Sequence, residues 1–582
     1  MSPRSWIPRV LCLALIVLAS GAASAAPASA QDPDALVPQS ILLDAPTKLP
    51  PGFEVTPREA RRTVERLDEV RAELADHPRA RAYVQLPLYG SYRGSYAVTY
   101  IDQSKGELVA DVYVDGRTGR VTEVWTGPQA GTFLARGLEP SIGRSLNEAY
   151  IWLPLGVLFL LPFIDPRRPF RLVHLDLLVL LGFGVSQLYF NKGEIDLSVP
   201  LIYPPLLYLL ARLLMAGFRP RERREALMPY AQASWLVVGL SLLVAFRIGL
   251  NLADSSVIDV GYASVVGADR ILDGLPLYVL NEIHGDTYGP INYLSYVPFV
   301  LMFPWDGSWS FVAPAHAASI TFDLLVIGGL LVLGRRMRPG AEGRLLGLAL
   351  AWAWTAYPFS TLALQTNTND ALLAALVVGA LLAISSPPAR GVLIGLGAAA
   401  KFVPLALAPL FATGFGTERR LRSWPAFGAA VAATCIASVL LFLPEGGWRE
   451  FYDTTIGFQL SRSSPFSLWG LHPSLEWLQD ATKAGAALLA VMVAFVPRRR
   501  DVRQVAALAA AVLIALQITA TYWFYLYLVW IAPPVLVAVL AAYRGPVHAT
   551  AAPPEVVPAV LATPGARAQD AVLSQAAEAR HR

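Results

Sequence analysis

A chain this apolar holds few side chains that could do chemistry, and they cluster. Asp259 stands near the start of SSVIDVGYASVVGADRILDGLPLY (255–278), a few residues beyond an apolar run. A carboxylate at such an edge is partly desolvated, which raises its pKa toward the range of a working general base. A loop aspartate can equally cap a helix or sit in solvent. Lys401 stands inside GVLIGLGAAAKFVPLALAPLF. A cation within an apolar run costs roughly 2.5–3.5 kcal/mol on insertion scales, so it takes an anionic partner or snorkels to the interface. Arg462 in QLSRSSPF can hold an anion from a loop or be solvated there, and Arg247, near the end of its run, is expected to snorkel. His316 and Asp323 in PAHAASITFD share one helical face. They either line a polar cavity or make a buried interhelical hydrogen bond. Asn367, Asn369 and Asp370 in QTNTND either bind ligand hydroxyls or cap the helix that follows. The run TYWFYLYLVW reads as an interfacial aromatic belt in which Trp523 can also stack on a ligand ring. Asp269, Asp273 and Asp286 read as caps and loop charges.

Other chemistries leave no trace. There is no glycine-rich nucleotide fingerprint or P-loop, no Cys/His cluster with zinc spacing and no acid pair dedicated to a metal, so neither cofactor nor metal site is expected. The net charge of +4 comes from short basic loops rather than a basic stripe, which argues against a nucleic-acid partner. Of the two cysteines, Cys12 lies in a leader-like segment and Cys435 in an apolar run, so no internal disulfide is expected in a mature chain.

The elements that must position these residues are membrane spans. Apolar residues make up 55% of the chain and charged ones 15%, with a mean hydropathy of +0.47. Residues 1–30, with Arg4 and Arg9 before VLCLALIVLA and Ala28 and Ala30 after it, read as a signal peptide. Residues 31–55 read as a linker. Over 56–128, one amphipathic helix begins at Thr56–Pro57 and is followed by alternating strands with turns at SKGE and DGRTG. From 150 to 543 the chain reads as polytopic, with eleven spans at about 150–164, 172–190, 199–217, 232–250, 312–334, 343–363, 371–386, 423–443, 481–496, 503–519 and 522–543. The loops DPRRPFR, RPRERRE, GRRMRPGAEGR, GTERRLR and PRRRDVR then fall on the cytoplasmic side, as does the tail from 544 to 582. Two further apolar pieces, 290–304 and 391–412, have both ends on one side and must be re-entrant or broken. The long loops 251–290 and 444–480 fall outside, rich in Trp, Tyr, Arg and Asp.

The first outer loop resembles that of GT-C glycosyltransferases that use polyprenyl phosphates, closest to glycosyltransferase family eighty-seven. The matching positions are Asp259, Ala263, Gly274, Pro276, Tyr278, Tyr288, Pro290 and Tyr293, with GVLIGLGAAAKFVPLALAPLF similar to the family's glycine-rich helix. The resemblance covers about 232–543. The closing VYVDGRTGRV makes 56–128 similar to a PepSY-type extracytoplasmic module.

The resemblance implies an all-α polytopic GT-C membrane protein carrying a small exported α+β domain. It implies transfer of a mannose- or arabinofuranose-like sugar from a polyprenyl-phosphate donor to an envelope glycan or glycolipid, within membrane lipid, at the outer face. Asp259 would be the base. Lys401 and Arg462 would hold phosphate, and Tyr262, Tyr288, Asn367, Asn369, Asp370, His316 and Trp523 would bind substrate. A lipid-linked precursor transporter or flippase, and a non-catalytic envelope regulator, are the competing classes.

Overall fold

The computed structural model describes residues 40–42, 47–87, 94–102, 107–126, 144–191, 194–278, 287–305, 312–413, 420–461, 466–498 and 500–544. The leader, Asp286, Arg462 and the tail beyond 544 lie outside the described residues.

Near the N-terminus a five-stranded antiparallel sheet runs in sequence order, its last four strands being Ala80–Pro87, Ser95–Asp102, Glu107–Asp115 and Val121–Thr126. Thr56 starts the preceding helix through a reciprocal capping box. Its backbone N–H donates to Glu59 Oε2 at 2.8 Å, and its Oγ1 accepts from the Glu59 N–H at 3.3 Å. The expected single helix is in fact two, Pro57–Glu65 and Asp68–Asp76. Leu67 adopts an extended backbone between them, and the acids Asp68 and Glu69 suit a fresh helix N-terminus. The split lets Ala60 and Val64 from one helix and Val70 from the other bury against the same sheet face. The expected linker also needs correction. Ser40–Leu42 is the edge strand, paired to Gln85–Pro87, while Phe53 packs 4.8 Å from Tyr96, whose hydroxyl donates to the Val55 carbonyl at 2.6 Å. A three-residue strand is too short to show alternation, so composition alone hid it. The DGRTG turn closes on Asp115, whose Oδ1 accepts the Thr118 N–H at 2.7 Å and the Arg117 N–H at 3.1 Å. Thr118's hydrogen bonds hold that carboxyl below its ordinary range.

The other described residues are mostly helical. Among the described residues seven helices are long and apolar enough to span: Leu172–Asn191, Ile195–Phe218, Ala233–Ala253, Ala313–Met337, Ser423–Leu440, Pro473–Phe495 and Val502–Thr519. The expected span at 343–363 is a pair, Gly340–Ala356 and Pro358–Gln365, bent by 58° where Pro358 removes a backbone donor. The expected spans at 150–164, 371–386 and 522–543 appear as shorter apolar helices, Ala149–Phe163, Asp370–Leu382 and Tyr525–Leu540. Both leftover pieces are broken. The first forms Pro290–Leu294 and Val297–Met302. The second runs as Pro387–Lys401 and stops at Phe402, whose φ is +50°, before a 3-10 turn over Val403–Leu407 and a last turn over Ala408–Ala412.

The basic loops share one set of carbonyl-rich helix ends. Arg171 donates to Ala226 O at 2.5 Å and pairs with Glu225, Arg338 reaches Ala541 O at 2.7 Å, and Arg503 reaches Ala538 O at 3.0 Å. Arg500 donates to Ala494 O and Thr413 Oγ1, both at 2.8 Å. The guanidinium groups of Arg338, Arg500 and Arg503 fill acceptors that a helix C-terminus leaves without an intrahelical donor. A short parallel pairing of Arg223–Ala226 with Tyr543–Arg544 ties two of these ends together.

Candidate functional site

Three interrupted segments meet beneath the start of the helix Asp259–Leu272. The first is the link between Gln365 and the helix Asp370–Leu382, where Thr366, Asn367, Thr368, Asn369 and Asp370 are all buried. Asn367 takes a left-handed backbone, φ +50°. Its Nδ2 donates to Ser255 Oγ at 3.0 Å and Ser256 O at 2.9 Å, and its Oδ1 accepts from Asn251 Nδ2 at 2.9 Å. The Ser256 N–H donates to Gln365 O at 3.0 Å and the Ile258 N–H to Thr366 O at 3.2 Å, so the residues leading into Asp259 lie alongside this link. Gly261 makes the approach possible: a Cβ there would stand 2.3 Å from the Asn367 carbonyl oxygen.

Asn369 occupies the cap position of its helix without capping it. Its Nδ2 donates to Asn292 Oδ1 at 2.5 Å, and Asn292 Nδ2 donates to Ser264 Oγ at 2.9 Å. Asn369 Oδ1 and Thr368 Oγ1 are buried without a hydrogen-bond partner. Asp370 turns the other way. Its Oδ1 accepts from Lys401 Nζ at 2.6 Å and from Trp530 Nε1 at 2.8 Å.

Lys401 is the last residue of its helix, beside the break at Phe402. Snorkelling is excluded, because its side chain is only 8% exposed and ends on Asp370. Its Nζ lies 5.4 Å from the ring centres of both Tyr288 and Trp530, within cation–π range. A second expectation changes too: the lysine already has a protein anion rather than waiting for a phosphate.

Tyr288 belongs to the third interrupted segment. The Gly289 N–H donates to Ala400 O at 3.0 Å, and a Cβ on Gly289 would fall 2.0 Å from Ala399 O, so only glycine lets this loop lie against the lysine helix. Tyr278 Oη donates to Tyr288 O at 2.9 Å, and the Tyr288 N–H donates to Tyr293 Oη at 3.2 Å. Burial, then the charge of Asp259, push the Tyr288 phenol well above its ordinary value, with smaller contributions from Tyr527, Asp370 and Tyr293. The second outer loop closes on the same place: Phe451 sits edge-on to Tyr278 at 5.2 Å, and Gln459 Nε2 donates to Thr287 Oγ1 at 3.3 Å.

Asp259 itself is exposed at the first turn of its helix, with Oδ1 accepting the Val260 N–H at 2.8 Å. An exposed carboxylate and a buried ion pair thus both lie near Tyr288. This arrangement can accept a proton at the surface and hold an anion deeper in.

The other candidates divide. Tyr262 is buried edge-on to Trp305 at 5.4 Å. His316 Nδ1 lies 3.0 Å from Asn251 Oδ1, so it supports Asn367 from behind. Its helical neighbour Asp323 enters a different network, accepting from Arg247 at 2.7 Å and Trp354 Nε1 at 2.8 Å. Arg247 therefore does not snorkel. It is fully buried and also donates to Thr355 O at 2.7 Å and Ser360 Oγ at 3.0 Å, acceptors at the bent break. Trp523 is buried against Phe183 and Tyr525, with Nε1 on Gln517 Oε1 at 3.2 Å. The aromatic run is mostly interior rather than an interfacial belt, since Trp523, Phe524, Tyr525 and Leu526 are all buried under neighbouring spans. Its useful member is Trp530, which the sequence reading passed over along with Asn292 and Ser264. The only signals were an indole late in an aromatic run and an asparagine inside the Tyr288–Tyr293 motif.

Comparison with known proteins bears on this region. Residues 287–521 match the model of Glycosyltransferase family 87. Among solved structures, ArnT from Cupriavidus metallidurans, crystallised with undecaprenyl phosphate, is 18% identical, with a TM-score of 0.39 over 54% of this chain and 60% of its own. No curated protein matches the sequence. The matched residues, less than half of the chain, take in Tyr288, Asp370 and Lys401, and over them the chain is similar to glycosyltransferase family 87.

Proposed function

We propose that the protein transfers a hexose or pentose, mannose- or arabinofuranose-like, from a polyprenyl-phosphate donor to an envelope glycan or glycolipid acceptor. Asp259 is the base. It takes the proton of the acceptor hydroxyl as that oxygen attacks C1 of the sugar. The C1–oxygen bond to phosphate breaks and its electron pair leaves on the phosphate, which needs stabilising positive charge. The observation that carries this reading is the position of Asp259: an exposed carboxylate above a buried ammonium, on a helix held by the family 87 region. The cation within an apolar segment, and the lack of any nucleotide fingerprint in the sequence, favour a lipid-borne donor over a nucleotide sugar. Lys401 belongs to the donor side of the site, and Arg462, from the loop that closes on Tyr278, is proposed as a second phosphate ligand.

The Asp259 face is proposed to lie outside the cell and the basic loops in the cytoplasm, a reading supported by the excess of Lys and Arg in those loops. The sheet module, outside the matched residues, is proposed as an extracytoplasmic accessory domain.

Asp259→Asn tests the mechanism. An interaction made mainly in the transition state is removed, so single-turnover transfer should fall by 10²-fold or more while donor binding is kept. Turnover equal to wild type would sink the base assignment. Comparing envelope glycans of a deletion strain and its parent by mass identifies sugar and acceptor. Unchanged glycans would count against the transferase reading.

A further inference from the structure

We propose that Asp370 is the resident counter-ion of Lys401 and that the phosphate of a polyprenyl-phosphate ligand takes its place. The proposal rests on the donor reading above and names the group that sets the affinity of that donor. A buried ammonium cannot stand alone at this depth, and in the described structure it does not: Nζ lies 2.6 Å from Asp370 Oδ1, with the two side chains 8% and 1% exposed. A phosphate that bound Lys401 while Asp370 kept it would bring a second anion to one cation, at a cost of like-charge repulsion in a poorly solvated site. Exchange gives the ammonium an anionic partner in both the empty and the loaded site.

The surroundings suit an exchange. Asp370 does not depend on Lys401 alone, since Trp530 Nε1 donates to the same oxygen at 2.8 Å and the carboxylate lies in the first turn of a helix, where the backbone favours negative charge. It can therefore stay ionised when the ammonium turns away. Lys401 ends its helix beside the kink at Phe402, so no further α-helical turn follows it. The rings of Tyr288 and Trp530, each 5.4 Å from Nζ, give the ammonium a polarisable wall along which to move. Asp370 is thus a positioning residue that acts through Lys401.

The experiment is equilibrium binding of undecaprenyl phosphate to the full-length protein in nanodiscs, for wild type, Asp370→Asn, Lys401→Met and the double variant. Wild type should bind. Asp370→Asn should bind roughly tenfold tighter, the factor expected when one charge-assisted contact no longer competes. Lys401→Met should lose most of the affinity, and the double variant should match Lys401→Met. Trp530→Phe keeps a ring but removes the indole donor, leaving Asp370 more dependent on Lys401, so it should bind several-fold more weakly. This variant decides the matter if Asp370→Asn does not fold. Binding that Lys401→Met loses but Asp370→Asn leaves unchanged or weakened overturns the exchange alone, as does unchanged binding in Trp530→Phe. Wild-type protein that binds no undecaprenyl phosphate overturns the donor reading and the exchange with it.

Discussion

Arg247 donates to Asp323 at 2.7 Å and caps carbonyls at the 58° bend, so each partner of the pair is the other's only nearby opposite charge among the described contacts. Removing one strands a charge inside the protein, which costs about 3–5 kcal/mol, whereas replacing both by apolar groups of similar volume is far milder. Arg247→Met is expected to lower the unfolding midpoint of the detergent-solubilised protein sharply, and Arg247→Met with Asp323→Leu to recover most of the loss. Equal losses in the two would mean that the carbonyl caps, not the ion pair, carry the effect. Tyr288 makes a second prediction at this scale. Burial and the neighbouring Asp259 charge both oppose the phenolate, so the hydroxyl should stay protonated where ordinary tyrosines titrate, near pH 10. The measurement is an ultraviolet titration of wild type against Tyr288→Phe. The difference should show no phenolate signal near pH 10, and a titrating component there would contradict the burial of this hydroxyl.

Two glycines decide whether the interrupted elements can meet. A methyl at Gly289 would collide with Ala399 O at 2.0 Å and one at Gly261 with Asn367 O at 2.3 Å, both fixed backbone atoms. Gly289→Ala should push the Tyr288 loop off the lysine helix, and Gly261→Ala should lift the Asp259 helix from the link at 366–369. A displacement near 1 Å costs about 10²-fold in a reaction that depends on alignment. Transfer should fall by that order in both. Gly249→Ala, where a Cβ meets nothing within 4 Å, should keep full activity. Loss in the Gly249 control equal to that in the other two would show a general intolerance of substitution rather than a geometric one. Some of this was legible in the sequence: the sidedness of the basic loops required 290–304 and 391–412 to be re-entrant or broken, and Tyr278, Tyr288 and Tyr293 of the first outer loop were singled out. What the glycines touch was not, because Ala399 and Asn367 contribute only carbonyl oxygens, which leave no trace in residue identity.

At the scale of the molecule, the described residues that build the site come from between Asn251 and Trp530, and none belongs to the N-terminal sheet. Deleting residues 31–128 should therefore leave transfer to a minimal acceptor within a few-fold of wild type in a correctly inserted protein, and loss of turnover would give the module a part in the site. Sidedness is tested by single cysteines in a background where Cys12 and Cys435 are replaced. An impermeant thiol reagent should reach positions near 255 and 473 from outside and leave those near 222 and 340 unlabelled until the membrane is opened. Labelling near 340 from outside would overturn the proposed orientation. The sequence by itself determined the membrane class, most of the span positions, the breaks and the caps, because hydropathy, proline and capping chemistry act on the local backbone. It also singled out Asp259, Asp370 and Lys401 as candidates, with capping or snorkelling left open beside them. Only the tertiary structure decided their partners. Lys401 meets Asp370 across 31 positions, and Asp370 meets Trp530 across 160. A buried charge requires an opposite one but carries no information about which, so the choice rests on how the packed helices bring distant turns together.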